Sequence, residues 1–133
     1  RHSVVNCIFD QFTDEELDEF YTFVKTIKKE YSEMSYDEKQ RIHKMCINDH
    51  TKDEILAVVI EEMSELTKHL TKIMCGKESM KDNYGCIEEM AYVQICLDTL
   101  KEYMEISDSV IDAAVEVKLE RYVKERDDTN ENA

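Results

Sequence analysis

Across its 133 residues the chain contains no proline and only two glycines. These are the residues that punctuate a chain into turns. Their scarcity excludes a collagenous chain, a linker-rich array and a turn-dense sandwich or barrel. What remains is a predominantly helical chain of single-domain size. The helix starts are written into the sequence. Thr13-Asp14-Glu15-Glu16 is a capping-box pattern with Phe12 and Leu17 placed as a hydrophobic staple, and Ser35-Tyr36-Asp37-Glu38 and Thr51-Lys52-Asp53-Glu54 repeat the signal. The first helix carries Leu17, Phe20, Val24, Ile27 and Tyr31 at steps of three and four. The second is expected through Ile47, and the third ends near Cys75-Gly76. Renewed periodicity predicts a fourth helix from Asn83 to Glu105 and a fifth from Ser107 or Asp108 to Glu125, followed by a frayed polar tail from Arg126. Short connections make this an all-α antiparallel helix bundle of the last three or four helices, with an N-terminal helical extension packed outside it. Residues 1–50 form the extension, 51–126 the bundle and 127–133 a flexible tail.

Charge narrows the partners. Asp and Glu number 31 against 17 Lys and Arg, a net charge of −14 that repels a polyanion, so a long nucleic acid is excluded as a partner. Val4 to Phe9, the apolar run near the N-terminus, is too short for a signal segment or a membrane span. The five cysteines (Cys7, Cys46, Cys75, Cys86, Cys96) are odd in number and contain no C-x-x-C pair, which indicates neither a disulfide framework nor a zinc ribbon. A reduced, cytoplasmic protein is the expectation.

Helical phase separates the acids of the third and fourth helices. At about 100° per residue, Ile55, Val59, Leu66 and Ile73 define the apolar stripe of the third helix. Glu62 falls inside that stripe, Glu65 at its edge, and Glu61 points away. In the fourth helix Cys86, Met90, Val93, Leu97, Leu100 and Met104 define the stripe, with Glu89 inside it and Glu88 outward. Two buried carboxylates about 4 Å apart repel by roughly 4 kcal/mol at an effective dielectric near 20, so a positive group is expected between them. Either a lysine or arginine from a neighbouring helix or a hard divalent cation such as Mg²⁺ meets that need. His69, one turn beyond Glu65, is expected at the surface or between helices. On the fifth helix Val110, Ala114 and Val117 lead to Arg121, flanked by Lys118 and Lys124. This inward basic spot pairs with the glutamates or binds phosphate oxygens.

The pattern Glu61-Glu62-x-x-Glu65, then Glu88-Glu89 on the next helix, then Lys118-x-x-Arg121, resembles the all-α nucleoside triphosphate pyrophosphohydrolase superfamily, the MazG-like and dimeric dUTPase-like enzymes. Ile87 to Ile95 is most similar to the small phage and prophage members, and the likeness covers about residues 51–126. The resemblance implies a MazG-like fold and Mg²⁺-dependent hydrolysis of a nucleoside triphosphate to a monophosphate and pyrophosphate, with Mn²⁺ able to substitute. It implies Glu62, Glu65 and Glu89 as metal ligands, Glu61 or Glu65 orienting the attacking water, and Lys118 and Arg121 on the phosphates. A homodimer or homotetramer is implied as well. The departure is Tyr92, which stands where the family's ExxD motif has its aspartate, and a phenol is a poor Mg²⁺ ligand at neutral pH. The alternative is a non-catalytic MazG-like protein that binds a nucleotide or a protein partner.

Overall fold

The structure is a computed structural model that describes residues 13–27 and 34–132. These residues form five α-helices and no strand: α1 Asp14–Ile27, α2 Tyr36–Asp49, α3 Lys52–Met74, α4 Tyr84–Tyr103 and α5 Asp108–Glu131. The all-α class expected from the sequence is what the chain adopts. Val4 to Phe9, Cys7, Phe12 and Tyr31 lie outside the described residues.

The caps act as their sequence pattern dictates. At α3 the Glu54 amide donates to Thr51 Oγ1 at 3.2 Å while the Thr51 amide donates to Glu54 Oε1 at 2.9 Å, so two amide donors at the helix start are satisfied reciprocally. The Thr51 amide first, and then the Thr51 side chain, hold the Glu54 carboxyl below its ordinary range. Ser35 accepts from the Glu38 amide at 3.1 Å, and Thr13 from the Glu16 amide at 3.2 Å. At the far end of α3, Gly76 takes a φ of 74°, a left-handed conformation that costs glycine little. The Lys77 amide then reaches back to the Lys72 carbonyl at 2.8 Å and closes the helix.

Two compact units divide the chain, one through Tyr103 with α1 to α4 and one from Met104 with α5. In the first, α4 is the hub: it packs most extensively on α3, then on α2, then on α1. Its core joins Cys46 of α2, Val58 and Val59 of α3, and Tyr92 and Cys96 of α4, with Leu100 against them. Of the helices before residue 50, α2 therefore contributes to this core, since it buries His43 and Cys46. His43 Nδ1 lies 2.8 Å from Thr99 Oγ1 of α4, and Lys44 pairs with Glu102 at 3.7 Å. Tyr21 ties in α1 by stacking on Tyr84, with ring centroids 4.0 Å apart, and by donating to Asp82 Oδ1 at 2.7 Å.

The buried face of α4 differs from the expected stripe. Met90 is 58% and Leu97 50% exposed, whereas Cys86, Glu88, Glu89, Tyr92, Cys96 and Thr99 are buried. Glu88, expected to face outward, is thus inside. The physical reason is coverage, because α4 is packed by three other helices and a wider arc than one stripe is shielded. The fifth helix continues to Glu131, past the expected end at Glu125, and none of its residues is buried.

Candidate functional site

The acids singled out by helical phase sit on the two most closely packed helices of the first unit. Glu62 of α3 is 0% exposed, the largest fully buried side chain among the described residues, and Glu89 of α4 is 3% exposed. Glu61 and Glu65 are partly exposed, and Glu65 Oε1 pairs with Lys68 at 3.0 Å. Ionised carboxylates are not left bare in such places, since burying one without a partner costs several kcal/mol, of the order of the effective penalty per ion. Glu61, Glu62, Glu65, Glu88 and Glu89 all take part in polar or electrostatic interactions.

Tyr92, one turn along from Glu88 and Glu89, is 4% exposed and packs in the apolar cluster with Val58, Val59, Cys46 and Cys96. Its ring is a structural element of the core. Where an acid would present oxygens to a cation, this chain presents an aromatic body to two other helices.

The donor set suits Mg²⁺ chemically, because carboxylate oxygens are the ligands this ion takes. Among the described residues no three His, Cys, Asp or Glu side chains are grouped so as to share one ion. One or two of Glu62, Glu65 and Glu89 would be the residues to hold such an ion, which keeps several of its waters. Lys118 and Arg121 lie on exposed α5, in the unit that begins at Met104.

A second group of side chains lies at the start of α4, and helical phase alone missed it. His69 Nδ1 is 2.9 Å from Glu78 Oε1, and Asn83 Nδ2 donates to the same oxygen at 3.2 Å. The hydrogen bond from His69 is the main cause that holds the Glu78 carboxyl below its usual range. Burial pushes the neighbouring Cys86 thiol up, and the charges of Glu78 and Glu89 add to this. Beside this group a crevice of about 340 Å³ is lined by Asp14 and Asp18 of α1 and by Glu78, Asp82, Asn83 and Gly85. The helix start near Asn83 is legible in the period of α4, but the partner nine residues from His69 is not, because the intervening connection has no period. His43 is the other buried ionisable group missed by the pattern, and desolvation is the main cause that pushes its pKa down.

Among the described residues no helix is long and apolar enough to cross a membrane. Among the described residues Cys46, Cys75, Cys86 and Cys96 form no disulfide.

No curated protein matches the chain, and no solved structure does. The model of a family of unknown function, DUF6686, matches residues 3–95, a span that takes in Glu61, Glu62, Glu65, Glu88, Glu89 and Tyr92 and ends before Lys118 and Arg121. That span is well over half of the 133 residues, and the chain belongs to the DUF6686 family.

Proposed function

We propose that the chain is a MazG-like, Mg²⁺-dependent nucleoside triphosphate pyrophosphohydrolase, slowed by Tyr92 at the position of the fourth acid. The observation that carries this reading is the burial of Glu62 and Glu89, 0% and 3% exposed, on paired helices. A bundle gains little stability from such groups, since well-packed apolar residues serve as well or better, which makes their burial a pointer to function. In this reading one or two of Glu62, Glu65 and Glu89 would supply protein oxygens to Mg²⁺, whose contribution when bound is neutralisation of phosphate charge and activation of water. Glu61 or Glu65 would orient the attacking water, and the resemblance assigns the phosphates to Lys118 and Arg121. Self-association belongs to the same reading. Along α3, Ile60, Met63, Leu70 and Met74 are 66%, 50%, 49% and 88% exposed, and Thr67 completes a stripe with no charge. A chain of net charge −14 associates with its own copy most readily through a charge-free apolar face.

Tyr92 favours a second reading, because its place in the apolar core leaves no acid there. In that reading the protein binds a nucleotide, or a protein partner, without turning it over. One experiment separates the two: pyrophosphate release from a panel of ribo- and deoxynucleoside triphosphates with Mg²⁺ or Mn²⁺, alongside calorimetric binding. Turnover abolished by Glu62→Gln supports hydrolysis. Binding without turnover, lost in the same variant, supports the second reading, and absence of both overturns the nucleotide assignment.

A further inference from the structure

The connection between α3 and α4 holds a polar network that ties it to both helices. Near the end of α3, His69 Nδ1 lies 2.9 Å from Glu78 Oε1 and 3.2 Å from Oε2. Asn83 Nδ2 donates to Glu78 Oε1 at 3.2 Å and to the Ser79 carbonyl at 3.0 Å, while Asn83 Oδ1 accepts from the Cys86 amide at 3.1 Å. One asparagine thus joins the connection to the first turn of α4, and one histidine joins both to α3. Gly85 meets the same imidazole: a Cβ built on it lies 2.9 Å from His69 Cε1 and 3.5 Å from Nε2. Real Cβ atoms do not sit that close, and the ring has little freedom to retreat while Nδ1 is held by Glu78. The imidazole is clamped between a carboxylate and a glycine.

We propose that His69, Glu78, Asn83 and Gly85 form a register lock, a set of positioning residues that fixes how the first turn of α4 seats on α3 and so holds Cys86, Glu88 and Glu89 inside. Successive residues turn by about 100°, so a shift of one position in this turn changes which side chains the neighbouring helices cover. Without Gly85 the backbone of α4 cannot approach His69, and without the Glu78 bond the ring is free to turn. The lock acts on the seating of α4 whether or not the carboxylates take a nucleotide, so its failure and that of the proposed function are read separately.

The test is residue-resolved thiol labelling of the full chain with a maleimide at fixed neutral pH. Cys86 is 7% exposed beside the lock, and Cys46 and Cys96, 8% and 2% exposed in the apolar cluster, report on the rest of the unit. Gly85→Ala is expected to speed Cys86 labelling about tenfold while Cys46 and Cys96 stay within about twofold, the signature of local rather than global opening. Adding His69→Ala removes the ring that the new methyl meets, so the two substitutions are expected to be less than additive. Glu78→Gln keeps an acceptor for Asn83 and for a neutral His69 and is expected to retain slow labelling, whereas Glu78→Ala is expected to lose it. If Gly85→Ala does not fold, the Glu78 pair carries the test alone. Unchanged Cys86 labelling in both Gly85→Ala and Glu78→Ala overturns the lock. So does equal acceleration of Cys46 and Cys96, or full additivity.

Discussion

The first unit and α5 treat charge and apolar surface in opposite ways. On α3 and α4 the chain buries Glu62, Glu88 and Glu89. On α5 it leaves Val110, Val117, Leu119 and Tyr122 between 52% and 64% exposed. Neither α4 nor α5 carries its apolar residues on a single narrow stripe, yet α4 has six buried residues and α5 none. The difference teaches that, along a helix without one dominant apolar face, the helices packed on it within its own unit set what is buried. α4 is packed by three helices, so even its acids are enclosed.

The strongest challenge to this contrast is at Tyr92. Tyr92→Ala is expected to cost about 3–5 kcal/mol in urea denaturation, as for large-to-small changes of buried aromatics. Tyr92→Asp should cost at least as much, because it sets a carboxylate among Val58, Val59 and Cys96, even though it restores the acid of the resembled motif. A Tyr92→Asp protein as stable as the parent would show that the cluster does not depend on the ring. Next in size is the buried link between α2 and α4. Thr99→Val leaves His43 Nδ1 without its hydroxyl partner and should cost about 1–3 kcal/mol, the usual penalty for an orphaned buried polar group.

Acid adds a pH test of the same link. His43 is neutral when folded because desolvation lowers its pKa, so the unfolded chain binds the proton more readily. Stability should therefore fall as pH drops below about 6.5, the ordinary imidazole value, and the loss should be complete once pH passes the lowered folded value. Glu78, also lowered, loses its contribution in a more acidic window as its carboxylate protonates. A stability profile flat between pH 7 and the carboxylate range would contradict the assignment of His43. A smaller effect is expected at the α3 cap, where Thr51→Ala should cost about 1 kcal/mol by thermal melting. The smallest belongs to α5: Leu119→Ser should change stability by no more than about 0.5 kcal/mol, as exposed positions do. A loss well above that, growing with protein concentration, would mean that α5 is covered in solution by another copy.

Much of the architecture was legible because helix starts are local chemistry. Thr13, Ser35 and Thr51 cap the helices their patterns announce, and Gly76 ends α3 where a left-handed residue is needed. Part of the site was legible for a similar reason, since Glu62 and Glu89 were found by phase against their neighbours and both are buried. Glu88 was misplaced because phase on one helix carries no information about how many helices surround it. His69 and Glu78 were not paired in advance, because their bond depends on how the connection after Gly76 folds back.

Composition and cap spacing determined that this chain is helical and where most of its helices begin, because proline, glycine and capping side chains act on the backbone within a few residues of themselves. Tertiary packing decided which faces are buried: that Tyr92 joins the core, that Met90 and Leu97 meet solvent while Glu88 does not, and that α5 contributes no buried residue. The physical reason is that burial is a property of neighbours brought from far along the chain. A helical period describes only the helix that carries it.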